Sequence, residues 1–205
     1  TEARHKTFVQ AVLSKLHAAG HFYKATHTGF YSTKEETFLT EKDRRPDGTF
    51  DPSWGEVIEL SEENYYFKLQ DHQTWLIDHI EANPDFICPP NRRNEVLGFL
   101  KNNTLEDLCL TRPVSRLNWG IPVPFDPDHV TYVWFDALLN YITVPGYVAD
   151  PARFRTLWPA DVQFIGKDIL RHHAVYWPIM LHALGLPDEQ MPQTIIAHGW
   201  WKIGE

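Results

Sequence analysis

Apolar positions change period along the chain. Over residues 2–19, Phe8, Val9, Val12, Leu13 and Leu16 recur at helical spacing, which predicts an amphipathic helix. Gly20 then closes it, because glycine accepts the left-handed backbone of a helix end. From His21 to Glu62 the pattern turns to short β-like pieces, FYKATHTGFYS and GEVIEL. They surround a polar, turn-rich stretch, EKDRRPDGTFDPSWG. Two more helices are predicted near Leu69–Ala82 and Arg93–Asn102. From Val130 strands and helices alternate: VTYVWF then DALLNYI, VQFI then a helix to about Leu184, and finally TIIA. Such alternation predicts an α/β fold with a parallel sheet.

Two of these strand–turn–helix units carry candidate chemistry. In TYVWFDALLNYI (131–142), Tyr132–Phe135 reads as a buried strand, with Asp136 capping a helix that brings Ala137, Asn140 and Tyr141 to one side. Trp134 and Tyr141, two aromatics with polar hydrogens, then flank one turn. In the second unit, VQFI suits a buried parallel strand. Gly166-Lys167-Asp168 makes its turn, with Asp168 placed to cap the following helix. Ligands of open α/β sheets bind beyond the carboxyl ends of strands, where Gly166 would admit a ligand to the backbone and Asp168 would accept from ribose hydroxyls. In the helix, Ile169, His173 and Tyr176 share a face, and His172 points elsewhere. Neighbouring helical side chains diverge by about 100°, so the two histidines make a poor metal pair. From residue types alone, these aromatics form either a small, selective pocket or an ordinary aromatic core.

Bulk properties narrow the function classes. A chain of 205 residues is one large domain or a domain carrying an insertion. With 43% apolar and 14% aromatic residues it can bury a real core, which excludes disorder. No apolar run approaches the ~20 residues that cross a bilayer, and no charged-then-apolar leader opens the chain. Cys88 and Cys109 lack metal-ligand spacing and read as free thiols of a reducing cytoplasm. Nineteen basic against 27 acidic residues leave a net charge of −8, which argues against a general nucleic-acid-binding surface.

In order along the chain, TEARHKTFVQAVLSKLHAAGHFYKATHTGFYS, EENYYFKL, SRLNWGIPVP, TYVWFDALLNYI, FIGKDILRHHAVYWPIML and IIAHGWWKIGE resemble blocks of the methionyl-tRNA synthetases, class I aminoacyl-tRNA synthetases. The resemblance implies three parts. Residues 1–20 would be a helix entering from the catalytic domain, and 21–110 a connective α+β insertion. Residues 111–205 would be the second half of a Rossmann-like parallel-sheet catalytic domain. Trp134, Ala137, Tyr141, Ile169 and His173 match the family's methionine side-chain pocket. Gly166, Asp168, His198 and Gly199 match positions around ATP or the adenylate, and Arg116 matches an arginine of the reaction centre. A thioether is polarizable and prefers aromatic edges, so the match is chemically sensible, with the Tyr141 hydroxyl and a His173 N–H expected as donors to sulfur.

The implied reaction is ATP-dependent activation of methionine, with Mg2+ accompanying ATP, and transfer of the methionyl group to tRNA(Met). Such chemistry rests on positioning and charge stabilisation, which fits the lack of a nucleophile–base pair. By the resemblance, the HIGH motif lies before Thr1 and KMSKS after Glu205, so residues 1–205 alone are expected to be inactive. Ser32 and Glu35 stand where many members carry zinc-binding cysteines. A zinc-free insertion is therefore expected, held by Phe22, Tyr23, Phe30, Tyr31, Trp54 and Phe67. Leu138 replaces the family's commoner proline. Two alternatives use the same residues: a non-catalytic synthetase-like module binding an amino acid or nucleotide, and a class I synthetase for another aliphatic amino acid.

Overall fold

The computed structural model describes residues 2–35, 37–200 and 204. Helix α1 (Ala3–Ala18) buries Val9, Val12, Leu13 and Leu16 along one stripe. Fully burying each such side chain is worth roughly 1.5–3 kcal/mol. The helix stops at Gly20, whose φ of 78° is the left-handed conformation expected there. The chain then forms β1 (Phe22–Ser32), β2 (Thr37–Phe38) and β3 (Val57–Phe67). β1 and β3 pair antiparallel over their full length, Phe22 opposite Phe67 and Ser32 opposite Val57. Between them, the Ser32 hydroxyl donates to the Trp54 carbonyl at 2.6 Å and accepts from the Glu35 N–H at 3.0 Å.

Helix α2 (Gln73–Ala82), β4 (Ile87–Cys88), α3 (Pro90–Asn102) and β5 (Leu108–Cys109) follow. β5 joins β3, completing a four-stranded sheet in the order β2-β1-β3-β5. A small antiparallel sheet comes next, from β6 (Thr111–Pro113), β7 (Pro122–Val123) and β8 (Asp126–Thr131). The remaining elements are α4 (Val133–Thr143), α5 (Pro151–Leu157), β9 (Val162–Gly166), α6 (Trp177–Ala183) and β10 (Thr194–His198). β10 pairs in parallel with both β9 and β4. The core lies between this parallel sheet and helices α1, α2, α3, α4 and α6. Among the described residues no helix is long and apolar enough to cross a membrane.

The structure departs from the sequence pattern in four places. β8 ends at Thr131, the last residue paired with β6, and the Tyr132 N–H goes to the Leu110 carbonyl. Helix therefore begins at Val133, inside the stretch expected as strand. Phe135, Leu138, Leu139 and Ile142 bury its inner face at three- and four-residue steps. Asp136 consequently sits in the first turn rather than at the cap, which is Tyr132. Ile87–Cys88, within the stretch expected as insertion, belongs to the parallel sheet; a two-residue strand shows no period. β9 is not buried on both sides: Gln163 and Ile165 face inward, while Val162 and Phe164 are half or more exposed.

At the root of the β1–β3 pair, four histidines and one tryptophan form a chain of ring contacts. Trp75 stacks on His182 at 3.9 Å and on His79 at 5.4 Å, and His72 meets His182 at 5.3 Å and His21 at 5.4 Å. The Trp75 indole N–H donates to Asp188 at 3.1 Å. Burial lowers the pKa of all four histidines, and for His72, where the charges of His182 and His21 add to it, to about 4. An unfolded histidine keeps its ordinary value, so below 6.5 the unfolded chain binds the extra proton. The stability His72 contributes when neutral is present above that pH and is lost as pH falls. The loss grows by about 1.4 kcal/mol per pH unit, down to about pH 4. The urea midpoint should fall steeply from pH 7 to pH 5, and His72→Phe should flatten that slope.

Candidate active site

Helix α4 and the helical run after β9 enclose an apolar pocket of about 610 Å³. From α4 come Trp134, Ala137, Leu138, Asn140 and Tyr141; from the other run, Ile169 and His173. The wall is completed by Val144 and Pro145 beyond α4 and by Leu157, Trp158 and Ala160 ahead of β9. All five residues matched to a side-chain pocket thus line one cavity. The last three wall residues were missed, since the sequence around them shows no motif. Leu138, at the position of the commoner proline, is 1% exposed and belongs both to this wall and to the core.

The run after β9 is not a uniform helix. It opens with a tight turn over Lys167–Ile169 and widens to a π turn over His172–Tyr176 before α6. The wide turn changes the angular step, so Tyr176 leaves the face shared by Ile169 and His173, contrary to the expected spacing. Tyr176 instead lines a second, more polar cavity of about 310 Å³ with Asp168, Arg171 and His172. His172, passed over in the sequence, stacks on Trp134 at 3.7 Å and so backs the pocket wall. Burial, with the nearby charges of His173 and Arg171, lowers its pKa to about 4.

One corner of the pocket is formed by His173 and Tyr141. His173, 3% exposed, has Nδ1 2.9 Å from the Ile169 carbonyl and Nε2 2.9 Å from the Tyr141 hydroxyl. A carbonyl only accepts, so Nδ1 carries the hydrogen. Burial lowers the His173 pKa, with the bond to Ile169 opposing, and raises that of Tyr141. The ring is therefore neutral near pH 7, and its bare Nε2 accepts the Tyr141 proton. In this arrangement both hydrogens expected to face a ligand's sulfur go to protein acceptors.

Parallel register brings the other candidate group together. Gly166 at the end of β9 lies beside His198 at the end of β10, and His198 stacks on Phe164 at 5.6 Å. Gly199 follows, with open space where a side chain would stand. Asp168 makes no capping bond to the helix start, correcting the expected role, and its carboxylate is exposed. A Cβ on Gly166 would lie 3.4 Å from an Asp168 oxygen, an ordinary contact that places the carboxylate beside the glycine. Trp201, Lys202, Ile203 and Glu205, part of the closing IIAHGWWKIGE block, lie outside the described residues.

Arg116 does not line the apolar pocket. It stacks on Tyr31 at 4.6 Å, faces the buried Glu62 carboxylate at 3.7 Å, and lines a separate 200 Å³ cavity with Arg112 and Tyr132. Arg112, also missed in the sequence, lies over the Tyr132 ring at 4.1 Å and donates to the Thr111 carbonyl. Glu62 further accepts from Asn64 at 2.6 Å. Arg116→Met would leave a buried carboxylate short of its countercharge, a loss of ~1–3 kcal/mol. Thermal unfolding should show this as a lowered midpoint, and Glu62→Gln in the same chain should recover most of it.

The profile of the family described as tRNA synthetases class I (M) matches residues 1–48 and 53–205. A methionine–tRNA ligase of Rickettsia conorii is 45% identical over 201 residues, covering 98% of this chain and 38% of that protein. One from Caldanaerobacter subterraneus is 46% identical over 202 residues, covering 98% of this chain and 30% of that protein. A crystal structure of Mycobacterium tuberculosis methionyl-tRNA synthetase bound by methionyl-adenylate superposes with a TM-score of 0.83 at 41% identity, covering 97% of this chain and 39% of that one. The chain thus spans between 30% and 39% of the length of these relatives. Its parallel sheet and mixed helices are those of the class I synthetase fold, and the chain belongs to the class I (M) tRNA synthetase family.

Proposed function

We propose that this chain supplies the amino-acid pocket and part of the nucleotide site of a cytoplasmic methionine–tRNA ligase. The observation that carries the reading is the convergence of Trp134, Ala137, Tyr141, Ile169 and His173 on one apolar cavity. An unbranched thioether fits such walls, because sulfur is polarizable and favours aromatic edges. Gly166, Asp168, His198 and Gly199 lie at the carboxyl ends of adjacent parallel strands, where nucleotides bind in open α/β sheets. ATP would enter with Mg2+, its ribose held by Asp168. The methionine carboxylate attacks the α-phosphorus, releasing pyrophosphate, and a ribose hydroxyl of the 3′-terminal adenosine of tRNA(Met) then takes the methionyl group from the adenylate, releasing AMP. The chain's work is to position these groups and exclude water. With a net charge of −8, most tRNA contacts would lie elsewhere in the full-length protein.

Pyrophosphate exchange by the full-length protein should depend on methionine and fail with leucine or isoleucine. His173→Ala should weaken methionine roughly ten- to a hundredfold, the equivalent of ~1–3 kcal/mol, and ATP much less. Asp168→Ala should do the reverse. Equal effects of both changes on both substrates would reduce these residues to structural ones.

The insertion is read as zinc-free. Ser32, at the position of a thiolate ligand, is buried and commits its hydroxyl to Trp54 and Glu35. Among the described residues no group of three or more His, Cys, Asp or Glu side chains is arranged to hold a metal. Elemental analysis of protein prepared without chelator should find far less than one zinc per chain, and added zinc should leave the melting temperature unchanged.

A further inference from the structure

Helix α4 has open space on two sides. Ala137 and Asn140, with Val144 just beyond the helix, line the apolar pocket, and the same three residues line a second cavity of about 500 Å³. Close packing therefore does not hold this part of the helix from behind. His5 of α1 stands at the second cavity, 8% exposed, and reaches α4 with both ring nitrogens. Nε2 lies 3.0 Å from the Asp136 carbonyl, and Nδ1 lies 2.9 Å from the Thr143 hydroxyl. A carbonyl only accepts, so Nε2 carries a hydrogen. The Thr143 hydroxyl is in turn 2.9 Å from the Leu139 carbonyl. One ring thus ties α1 to two levels of α4, directly at residue 136 and through Thr143 at residue 139. The other long polar side chains of α1 go elsewhere, Gln10 to the Pro122 carbonyl and Lys15 to the Leu184 carbonyl.

We infer that His5 is a positioning residue: it fixes how α4 is turned, so that its loss weakens the use of methionine and spares the use of ATP. The inference rests on the ligase reading. Apolar contacts between α1 and α4 are non-directional, whereas two hydrogen bonds near 3 Å set an orientation. The helix so held carries Trp134, Ala137 and Tyr141, three of the five residues that converge on the apolar pocket. Gly166, Asp168, His198 and Gly199 stand at the ends of β9 and β10, which His5 does not touch. A misplacement of about 1 Å, caused by a change remote from the chemistry, can cost ~100-fold. A turn of α4 would therefore reach one substrate and not the other.

The test is pyrophosphate exchange by the full-length protein, with methionine and ATP varied separately. His5→Phe keeps a buried ring and loses both nitrogens. It should raise KM for methionine ~5-fold or more and leave KM for ATP within about twofold. His5→Gln restores a donor toward the Asp136 carbonyl and should bring KM for methionine back to within about threefold of the unmodified protein. A change that only lowered the folded fraction would reduce kcat with both KM values unchanged, and that result would overturn the proposal. Equal rises in both KM values would overturn it as well. Should His5→Phe fail to fold, Thr143→Val decides, because it removes the hydroxyl link and leaves His5 in place. It should raise KM for methionine by about two- to threefold with KM for ATP unchanged, and an unchanged KM for methionine would overturn the proposal. Absence of methionine-dependent exchange by the unmodified protein would instead count against the ligase reading itself.

Discussion

A carbonyl oxygen has no hydrogen to give, and the 2.9 Å contact between His173 Nδ1 and the Ile169 carbonyl is governed by that fact. It sets the tautomer of a buried ring, and the tautomer decides what Tyr141 can offer. Ile169 and His173 lie one turn apart on the same helical run, so the contact is local and is kept as long as that run exists. Tyr141 comes from α4, which makes the 2.9 Å hydroxyl bond the tie between the pocket's two walls. The distance between the walls is thereby fixed by hydrogen bonding at one corner and by packing of Leu138, Leu139 and Ala174 behind it.

The antiparallel unit is joined to this arrangement by two different kinds of contact. On one side the histidines around Trp75 lock the root of β1 and β3 to α2 and α6 through stacked rings, a joint that is strong when neutral and weakens on protonation. On the other, Glu62 of β3 meets Arg116 beyond β6, with Tyr31 of β1 beneath the guanidinium. This second joint is ionic, an arginine charge set against a buried carboxylate. Phe22 completes the link by packing edge-on against both Phe67 and Phe135.

Element type was legible wherever the apolar period ran long enough. α1 was readable from five residues at helical spacing, and VQFI and TIIA announced the parallel pair β9–β10, whereas the strand ahead of α4 joins the antiparallel sheet of β6 and β7. Tyr132–Phe135 misled because four consecutive aromatic or branched residues satisfy a strand template as well as a buried helix start. The tertiary pairing that ends β8 at Thr131 decided between them, and sequence does not carry it. Asp136 and Asp168 are typical cap residues displaced by a few positions, which shows how weakly residue type alone fixes a boundary. Ile87–Cys88 is too short to have a period. The convergence of Trp134, Tyr141 and His173 on one cavity was legible through motif resemblance, whereas Leu157, Trp158 and Ala160 reach the cavity only because α5 and β9 fold back beside it.

The π turn at His172–Tyr176 explains why two adjacent histidines can both matter. In a regular helix one of the pair would be spent on solvent or core. Here His173 enters the pocket, while His172 swings behind Trp134 and stacks on it at 3.7 Å. Both rings are held neutral by burial, and His172 keeps a buried Nδ1 with no partner among the described residues. An unsatisfied buried nitrogen costs about 1–3 kcal/mol, a loss that an apolar ring at this position would avoid. Local rules are broken where function constrains the fold, and this breach lies between the two cavities. The wall that shapes the apolar pocket is therefore also the back of the polar cavity containing Asp168. Trp134 faces one cavity and His172 the other, so the two cavities share this stacked pair as their partition.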